Sequence, residues 1–373
     1  MTAAMAPAQD LYVGLMSGTS MDGIDGVLAR IDAQGRPQRL AHASAPLPQM
    51  LRDELHALNS SGPDELHRAA LAAVALAHCY ADVVTRLLDV AGVRRHEVAA
   101  LGAHGQTLRH QPGQGYTLQL NAPALLAELT GLGVVADFRS RDVAAGGQGA
   151  PLVPAFHARV FASDAPRAVL NLGGIANVTL LTPGSDMPAA GFDTGPANML
   201  MDLWCQQHTG KPYDEDGQWA AQGQVQAGLL RTLIDNEPWF ALPAPKSTGR
   251  DLFHAAWLAQ RLQGIDARPE DVQATLRQLT VETVARALES QPQAVADMLV
   301  CGGGAYNKGL MQALAERLGC PVSATDSVGV PAQEVEALAF AWLGWAHLHQ
   351  VPAGLPSVTG ARGARVLGAH YPA

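Results

Sequence analysis

Residues 17–25 form the densest group of side chains that can handle phosphate. Gly18 and Gly23 leave main-chain N–H groups accessible, and successive turn amides can form a concave nest for phosphate oxygens. Asp22 and Asp25 add carboxylates that can hold Mg²⁺ through its bound water. The hydroxyl groups of this segment belong to Ser17, Thr19 and Ser20. The segment therefore predicts a triphosphate site, with a polar hairpin turn held by local side-chain bonds as the alternative.

Two further glycine turns follow apolar runs. In the segment 171–177, Gly173 and Gly174 end a predicted buried strand, where only small residues let a ligand approach the backbone. The run from Gly302 to Gly304 precedes a predicted helix and can admit an adenosine group, although a tight strand-to-helix connection is the commoner use of such a run. Glycine turns at strand ends thus recur in both halves of the chain.

The segment 191–198 predicts a turn, and Asp193 is the one acid in this otherwise neutral segment. A carboxylate beside an aromatic residue, with Gly-Pro fixing the backbone, has few competing charges and can act as a general base. The alternative is that Asp193 caps the predicted helix 197–208, because Asp is a preferred N-cap residue. The residues alone leave both interpretations open.

Two polar segments of the first half raise similar questions. His104 lies in the turn 104–107 after a predicted strand, and a neutral histidine there is more often a hydrogen-bonded structural residue than a catalyst. The segment 137–142 places Arg139 and Arg141 beside two acids. A solvated ion-pair cluster is the default interpretation, and a clamp for a substrate carboxylate is the alternative.

Length, charge and cysteine content limit the class of protein. A chain of 373 residues predicts two domains, 1–165 and 166–373, with the last helix able to pack back on the first. A net charge of -9 argues against binding to nucleic acid or to an anionic membrane. The cysteines form no C-x-x-C pair, so neither a zinc site nor a disulfide framework is predicted. The start of the chain lacks a signal pattern, and the apolar run 69–84 predicts a buried helix, so we expect a soluble cytoplasmic protein.

Hydrophobic periodicity predicts an α/β protein whose halves open alike, each with a strand, a glycine turn and a returning strand. Glu334 and Glu336 precede an apolar helix that runs through Trp345, and either acid can occupy its first turn. No P-loop, Rossmann or α/β-hydrolase motif is present. The predicted strands are 11–16, 24–31, 98–103, 116–120, 133–137, 168–172, 175–181 and 298–301, and the predicted helices are 48–58, 65–90, 122–129, 197–208 and 308–318.

Taken together, these motifs resemble the ordered signature of the anhydro-N-acetylmuramic acid kinase family. The resemblance runs from about residue 11 to about residue 345, and the opening motif is highly specific. It implies two ribonuclease H-like α/β domains of the actin/hexokinase/Hsp70-type ATPase fold, with ATP and Mg²⁺ bound in the interdomain cleft. The motifs that carry it are Gly14 to Asp25, His104 to Thr107, Asn171 to Asn177, Phe192 to Asn198 and Cys301 to Asn307.

The resemblance also implies a reaction and a role for each motif. The enzyme would open the 1,6-anhydro ring of the sugar with water and transfer the γ-phosphoryl group to O6, with Asp193 activating the water. The implied nucleotide contacts are Gly18, Thr19, Ser20, Met21, Asp22, Gly23, Ile24, Asp25, Asn171, Gly173, Gly174, Gly302, Gly303, Gly304 and Asn307. The residues implied to lie near the sugar or the nucleotide are His104, Gln106, Arg139, Asn177 and Glu336, with Arg141 as the alternative to Arg139.

The same resemblance implies a homodimer and a place in the recycling of bacterial cell-wall sugars. Two other functions fit the same fold. One is a kinase for an ordinary sugar hydroxyl, in which Asp193 would deprotonate the acceptor instead of water. The other is an actin-like ATPase switch without a small-molecule acceptor, which predicts ATP turnover that no sugar changes.

Overall fold

The computed structural model describes residues 10–18, 21, 23–185, 187–250 and 252–373. Up to residue 160 the elements are β1 (Leu11–Ser17), β2 (Gly23–Ile31), β3 (Pro37–Pro46), α1 (Gln49–Leu58), α2 (Glu65–Ala91), β4 (Val98–Ala103), β5 (Gln106–Gln111), β6 (Tyr116–Leu120), α3 (Pro123–Thr130), β7 (Val134–Ala136), α4 (Ser140–Ala144) and α5 (Pro154–Val160). The later elements are β8 (Arg167–Leu172), β9 (Ile175–Leu181), β10 (Pro188–Pro196), α6 (Asn198–Thr209), α7 (Ala227–Asp235), α8 (Ala255–Arg261), α9 (Pro269–Glu289), β11 (Asp297–Cys301), α10 (Lys308–Leu318), β12 (Val322–Ala324), α11 (Val335–Leu348), α12 (Pro356–Thr359) and β13 (Ala369–Tyr371).

The chain divides into two compact units. The first comprises the residues up to Val160 together with Glu336–Pro356 and Gly360–Ala373. The second comprises Phe161–Val335 with Ser357–Thr359. The boundary predicted from the sequence falls shortly after this division, in the loop between α5 and β8.

A six-stranded sheet in the order β13-β7-β4-β1-β2-β3 forms the centre of the first unit. Strands β1, β2 and β3 are antiparallel neighbours, whereas β4 is parallel to β1 and β7 is parallel to β4. The hairpin predicted for the start of the chain is confirmed as β1 and β2. The sequence did not predict β3, nor the edge strand β13, which is antiparallel to β7.

The second unit repeats this arrangement with a five-stranded sheet in the order β10-β9-β8-β11-β12. Its first three strands are antiparallel, and β11 and β12 extend the sheet in parallel from β8. Strands β5 and β6 form a separate two-stranded sheet. When only the strands of each main sheet are numbered in chain order, both sheets contain the order 3-2-1-4-5. The predicted duplication of a ribonuclease H-like sheet is therefore confirmed, with β13 as an addition in the first unit.

Helix α11 packs on the first sheet at two glycines. Gly14 and Gly102 are register partners on β1 and β4. A Cβ atom on Gly14 would lie 1.8 Å from the Ala337 carbonyl oxygen, and one on Gly102 would lie 2.0 Å from that of Phe340. Only glycine permits this backbone approach, which places the apolar helix directly on the centre of the sheet.

Helix α2 packs on strands β2 and β3, which lie on the opposite side of β1 from β4. Its buried face includes Leu76, Tyr80 and Val84, and the helix contacts β2 and β3. Among the described residues it is the one helix long and apolar enough to cross a membrane by length and composition, and half of its apolar window is buried. The helix predicted over 69–84 is confirmed, and one face of it is buried.

One predicted turn is wrong. The segment 191–198 lies mostly in strand β10, which ends at Pro196 and pairs with β9. Helix α6 then begins at Asn198 with Ala197 in the N-cap position. Asp193 is therefore a strand residue and not the cap of α6.

Candidate active site

Asp193 is a buried carboxylate near the end of the edge strand β10. The residue is 6% exposed, and its Oδ2 accepts a hydrogen bond of 2.9 Å from the main-chain N–H of Thr248. The main-chain N–H of Asp193 donates to the Lys246 carbonyl oxygen at 3.1 Å. The loop that contains Lys246 and Thr248 thus holds both the backbone and the carboxylate of Asp193.

Strand β10 has a β-bulge next to Asp193. The register shifts between Asp193 and Gly195, so that these residues pair with the neighbours Asn177 and Ala176 on β9. Gly195 has a φ of 145°, and a Cβ atom there would lie 2.8 Å from the Phe240 ring. Bulges re-aim side chains and are common beside active sites. The glycine predicted to fix the backbone is needed here for both conformation and space.

A row of polar residues crosses the second sheet from Asp193. Asp193 pairs with Asn177 on β9, Asn177 pairs with Asn171 on β8, and Asn171 pairs with Cys301 on β11. Directly opposite residues in a sheet project their side chains to the same face. The structure thus brings together the predicted base, the predicted ligand residue Asn177 and the start of the second glycine motif.

The carbonyl groups of the Gly173-Gly174 turn accept hydrogen bonds from the start of helix α6. The Gly174 carbonyl oxygen accepts from the N–H groups of Ala197 at 3.0 Å and Met199 at 3.2 Å, and that of Gly173 accepts from Asn198 at 3.0 Å. A Cβ atom on Gly173 would make only ordinary contacts, the nearest at 3.7 Å. The space above Gly173 is therefore open, as a ligand turn requires.

The Gly302–Gly304 run combines a tight connection with one open position. A Cβ atom on Gly302 would lie 2.4 Å from Asn171 Oδ1, and one on Gly304 would lie 2.6 Å from Leu172 Cβ. At Gly303 the nearest atom would lie 3.8 Å away. The run is thus a tight connection at its ends, and Gly303 has the space that the predicted adenosine contact needs.

Asn307 has a structural role at the start of helix α10. Its Oδ1 accepts a 3.0 Å hydrogen bond from the N–H of Leu310. This bond is the usual N-cap contact and satisfies one of the free N–H groups of the helix. The predicted nucleotide contact of Asn307 stays a prediction, and it would be made by a residue whose side-chain oxygen already caps α10.

Lys246 and Thr248 are the site residues that the sequence analysis missed. The Lys246 ammonium donates to the Phe240 carbonyl oxygen at 3.0 Å and lies 4.4 Å from the centre of the Trp239 ring. Burial lowers the pKa of Lys246, and attraction to Asp193 partly offsets the effect. The signal in the sequence was a cation, two hydroxyls and a glycine in succession, Lys246 to Gly249, directly after a proline-rich stretch.

His104 and Arg139 contact each other in the first unit. The Arg139 guanidinium donates to His104 Nε2 at 3.0 Å and to the Gly149 carbonyl oxygen at 2.9 Å. Burial, followed by the charge of Arg139, lowers the pKa of His104 from 6.5 to about 3. His104 is therefore a neutral acceptor near pH 7. Arg141 is exposed, so the contact with His104 distinguishes Arg139 from its neighbour.

Gln106 and Glu336 lie near the same histidine. Gln106 is 1% exposed, and its Oε1 has no hydrogen-bond partner among the described residues. Glu336 is in the first turn of α11, one turn before Phe340, whose ring centre lies 4.8 Å from that of His104. Residues four apart share one face of a helix. The structure thus joins His104 to Arg139 and to Phe340 of α11, with Gln106 at the start of the strand after His104.

The first phosphate motif is described in part. Thr19, Ser20 and Asp22 lie outside the described residues. Gly18 accepts a 3.2 Å hydrogen bond from the Met21 N–H, which closes a turn, and the side chains of Met21 and Ile24 are buried in the core. Those two residues can therefore offer a ligand only their main chain, as can Gly18 and Gly23, which have no side chain.

Asp25 is the described carboxylate of this motif. Its Oδ1 lies 3.2 Å from His42 Nε2, and its side chain is 42% exposed. In the part of the chain that the structure describes, no group of three acidic, histidine or cysteine side chains could hold a metal. Mg²⁺ usually keeps several waters and needs only one or two carboxylates beside phosphate, so Asp25 fits a contact through water.

The repeated strand order and the glycine turns after strands in both sheets define a duplicated α/β protein of the actin-like, hexokinase-type fold class. The match to known proteins is more specific. Residues 10–373 match the family described as Anhydro-N-acetylmuramic acid kinase, and the chain belongs to that family.

Curated relatives carry the same name. The chain is 67% identical over 366 residues to the "Anhydro-N-acetylmuramic acid kinase" of Bordetella parapertussis, covering 97% of this chain and 96% of that protein. It is 54% identical over 392 residues to that of Albidiferax ferrireducens, covering 98% and 100%. Among solved structures, the activator of the 2-hydroxyisocaproyl-CoA dehydratase from Clostridium difficile aligns at 13% identity with a TM-score of 0.49, covering 91% of this chain and 96% of that one.

Proposed function

We propose that this protein is an ATP-dependent kinase that opens the ring of 1,6-anhydro-N-acetylmuramic acid with water and phosphorylates O6. The products are N-acetylmuramic acid 6-phosphate and ADP, and the biological role is the recycling of cell-wall sugars. Family membership supports the phosphotransferase activity and the sugar substrate. The observation that carries the proposal for the site is Asp193, a buried carboxylate with one oxygen fixed by the Thr248 amide.

In the proposed reaction, Asp193 accepts a proton from water, and the water oxygen bonds to the anomeric carbon. The bond from that carbon to O6 breaks, and O6 takes the γ-phosphoryl group while ADP leaves. The leaving group of ring cleavage is therefore also the phosphoryl acceptor. A buried carboxylate suits this role because its strand and loop contacts fix its direction before the substrate binds.

For the nucleotide, we propose that the main chain of the first motif, Gly18 to Asp25, contacts phosphate oxygens. Gly173 and Gly174 are proposed as the second phosphate contact, and Gly303 as a contact for adenosine. A Cβ atom on Gly173 or on Gly303 would have no neighbour closer than 3.7 Å, which leaves space for a ligand. When bound, Mg²⁺ would neutralise charge on the phosphates. Asp25 would hold it through water, and Asp22 is proposed as the second carboxylate.

For the sugar, we propose that Arg139 binds the lactyl carboxylate. Its guanidinium is oriented by His104 and by the Gly149 carbonyl, and guanidinium groups match carboxylates in geometry. Neutral His104 would orient Arg139 without adding charge. Gln106, Asn177 and Glu336 are proposed as the other contacts to the sugar or the nucleotide.

The remaining parts of the proposal concern the setting of the enzyme. We propose a cytoplasmic homodimer, with sugar contacts and the first phosphate motif in residues 1–165. Residues 166–373 would then carry the second phosphate motif, Asp193 and the adenosine motif. Size-exclusion chromatography with light scattering tests the dimer, and a monomer at micromolar concentration would reject it.

A coupled ADP-release assay tests the function. The substrates are 1,6-anhydro-N-acetylmuramic acid, N-acetylmuramic acid, N-acetylglucosamine and glucose, and the product formed in ¹⁸O-water is analysed by mass spectrometry. We expect turnover only with the anhydro sugar, one solvent oxygen in the phosphorylated product, and loss of turnover when EDTA removes the divalent metal. Turnover with an ordinary sugar would indicate the ordinary sugar kinase, and ATP turnover that no sugar changes would indicate the ATPase switch.

A further inference from the structure

The loop between Lys246 and Gly249 is joined to Asp193 by two hydrogen bonds. The Asp193 N–H donates to the Lys246 carbonyl oxygen at 3.1 Å, and the Thr248 N–H donates to Asp193 Oδ2 at 2.9 Å. A main-chain donor cannot rotate as a side chain does, so this contact fixes the orientation of the carboxylate. Oδ2 is the oxygen that accepts this amide hydrogen bond.

The loop is itself held in place at Lys246. The ammonium group donates to the carbonyl oxygen of Phe240 at 3.0 Å and lies over the ring of Trp239. The Trp239 indole N–H donates to the Ser247 carbonyl oxygen at 3.1 Å. The contacts of Lys246 and of the Ser247 carbonyl oxygen hold the two residues before Thr248 and so restrict the position of the Thr248 N–H. The orientation of Asp193 is thus built into the packing of this loop.

The side-chain hydroxyl of Thr248 has no hydrogen-bond partner among the described residues, and its Oγ1 is buried. A buried hydroxyl without a partner costs about 1–3 kcal/mol, and such groups in native structures call for an explanation. Oγ1 and the N–H that holds the Asp193 carboxylate belong to the same residue.

We propose that Thr248 positions the attacking water for Asp193, an inference that rests on the proposed function. One O–H of the water donates to Asp193, and the other donates to Thr248 Oγ1. Asp193 takes the first proton when the water oxygen bonds to the anomeric carbon, and Thr248 keeps its own proton throughout. With both O–H bonds directed to the protein, a lone pair of the water faces the sugar.

Three variants test this role. Thr248→Val removes the hydroxyl but keeps the N–H and the branched shape, and Thr248→Ser restores the hydroxyl. The matched control is Thr232→Val in helix α7, where the hydroxyl donates to the Gly228 carbonyl oxygen in the same unit. The measurements are kcat and KM for the anhydro sugar, ¹⁸O incorporation and the melting temperature of each variant.

We expect Thr248→Val to lower kcat by about tenfold with little change in KM, on the scale of one hydrogen bond made in the transition state. Thr248→Ser should recover most of that loss, and Thr232→Val should match the wild type. A fall in kcat of less than about twofold for Thr248→Val would overturn the proposal, because it is smaller than one such bond. An effect on KM alone, or a loss that Ser does not recover together with a lowered melting temperature, would also overturn it.

The outcomes separate this inference from the proposed function. If wild type and Thr248→Val turn over the anhydro sugar equally, only the role of Thr248 fails. If the wild type phosphorylates an ordinary sugar without taking up solvent oxygen, the proposed function fails, and with it the positioned water. A wild-type enzyme that incorporates ¹⁸O and a slow Thr248→Val variant support both.

Discussion

Gly14 and Gly102 are register partners on adjacent strands, and both lie against the backbone of helix α11. The Ala337 and Phe340 carbonyl oxygens occupy the positions that Cβ atoms on these two residues would need. This pair sets the closest approach of the helix to the first sheet. The same helix carries Glu336, and its Phe340 ring contacts His104.

Gly102→Ala should therefore destabilise the first unit. The added methyl group would lie 2.0 Å from a carbonyl oxygen that belongs to a packed helix, so α11 must shift away from the sheet. Overpacking of this kind costs about 1–3 kcal/mol or more. Thermal unfolding checks the result, with Gly113→Ala as the control because a Cβ atom there has no neighbour within 4 Å. Equal melting temperatures for the two variants would contradict the packing described.

Asp193→Asn should fold and bind ATP but lose most of its turnover. The amide oxygen can still accept from the Thr248 N–H, so the loop contact is kept, whereas the side chain can no longer take a proton. General base catalysis is worth about 10² to 10⁴ in rate, and we expect kcat to fall within that range. Asp235→Asn, an exposed acid in α7, is the matched control. Turnover near that of the wild type would reject Asp193 as the base.

Arg139→Lys should raise KM for the anhydro sugar with little change in kcat. Lysine keeps the charge but lacks the planar donors that contact His104 and the Gly149 carbonyl. A hydrogen bond to a charged group is worth about 1.5–3 kcal/mol, which corresponds to an increase in KM of roughly 10-fold or more. Arg141→Lys is the control, because Arg141 is exposed. A larger increase in KM for Arg141→Lys than for Arg139→Lys would assign the contact with the lactyl carboxylate to Arg141.

The first unit should lose stability as the pH falls below about 6.5. Burial lowers the pKa of His104 and His157 to about 3 and that of His110 to about 4, and the charge of Arg139 contributes further at His104 and His110. The unfolded chain binds these protons at a higher pH than the folded chain, so stability is full above pH 6.5 and decreases from there toward pH 4. One such group changes the free energy of unfolding by at most about 1.4 kcal/mol per pH unit.

His157→Asn tests the contribution of one buried ring. The variant should show a shallower loss of stability between pH 6 and pH 4.5 than the wild type, by about one bound proton. Urea unfolding at a series of pH values measures this slope, and the exposed His67→Asn serves as the control. A slope equal to that of the wild type would show that His157 is protonated in the folded state.

The sequence predicted most strands of the two sheets but not their edges. Strand β3 lacks an alternating apolar pattern and has Ala41 as its one fully buried residue, and it forms by pairing with β2. Strand β10 contains glycines and ends in proline, which normally indicate a turn. These residues are tolerated because β10 is an edge strand. Local patterns therefore failed where tertiary pairing decides the structure.

In the candidate site too, local sequence patterns identified single residues and turns but not the contacts between distant residues. The motif around Asp193 identified a carboxylate, and the glycine motifs identified turns that the structure places at strand ends. The contact between Asp193 and Thr248 joins residues 55 positions apart and leaves no spacing pattern in the sequence. Likewise, the contact of Arg139 with His104 depends on how β4 and the segment after β7 meet in the fold.

The path of the chain has a consequence for synthesis. Residues 161–335 form most of the second unit, and they are inserted between strands β1 to β7 of the first unit and helix α11, which packs on β1 and β4. On the ribosome, β1 and β4 emerge long before α11 is made, so their glycine-lined surface faces solvent while the whole second unit is translated. The second unit has all its strands available earlier and can complete its sheet first. The first part of the chain to be made is thus the last to become a finished domain.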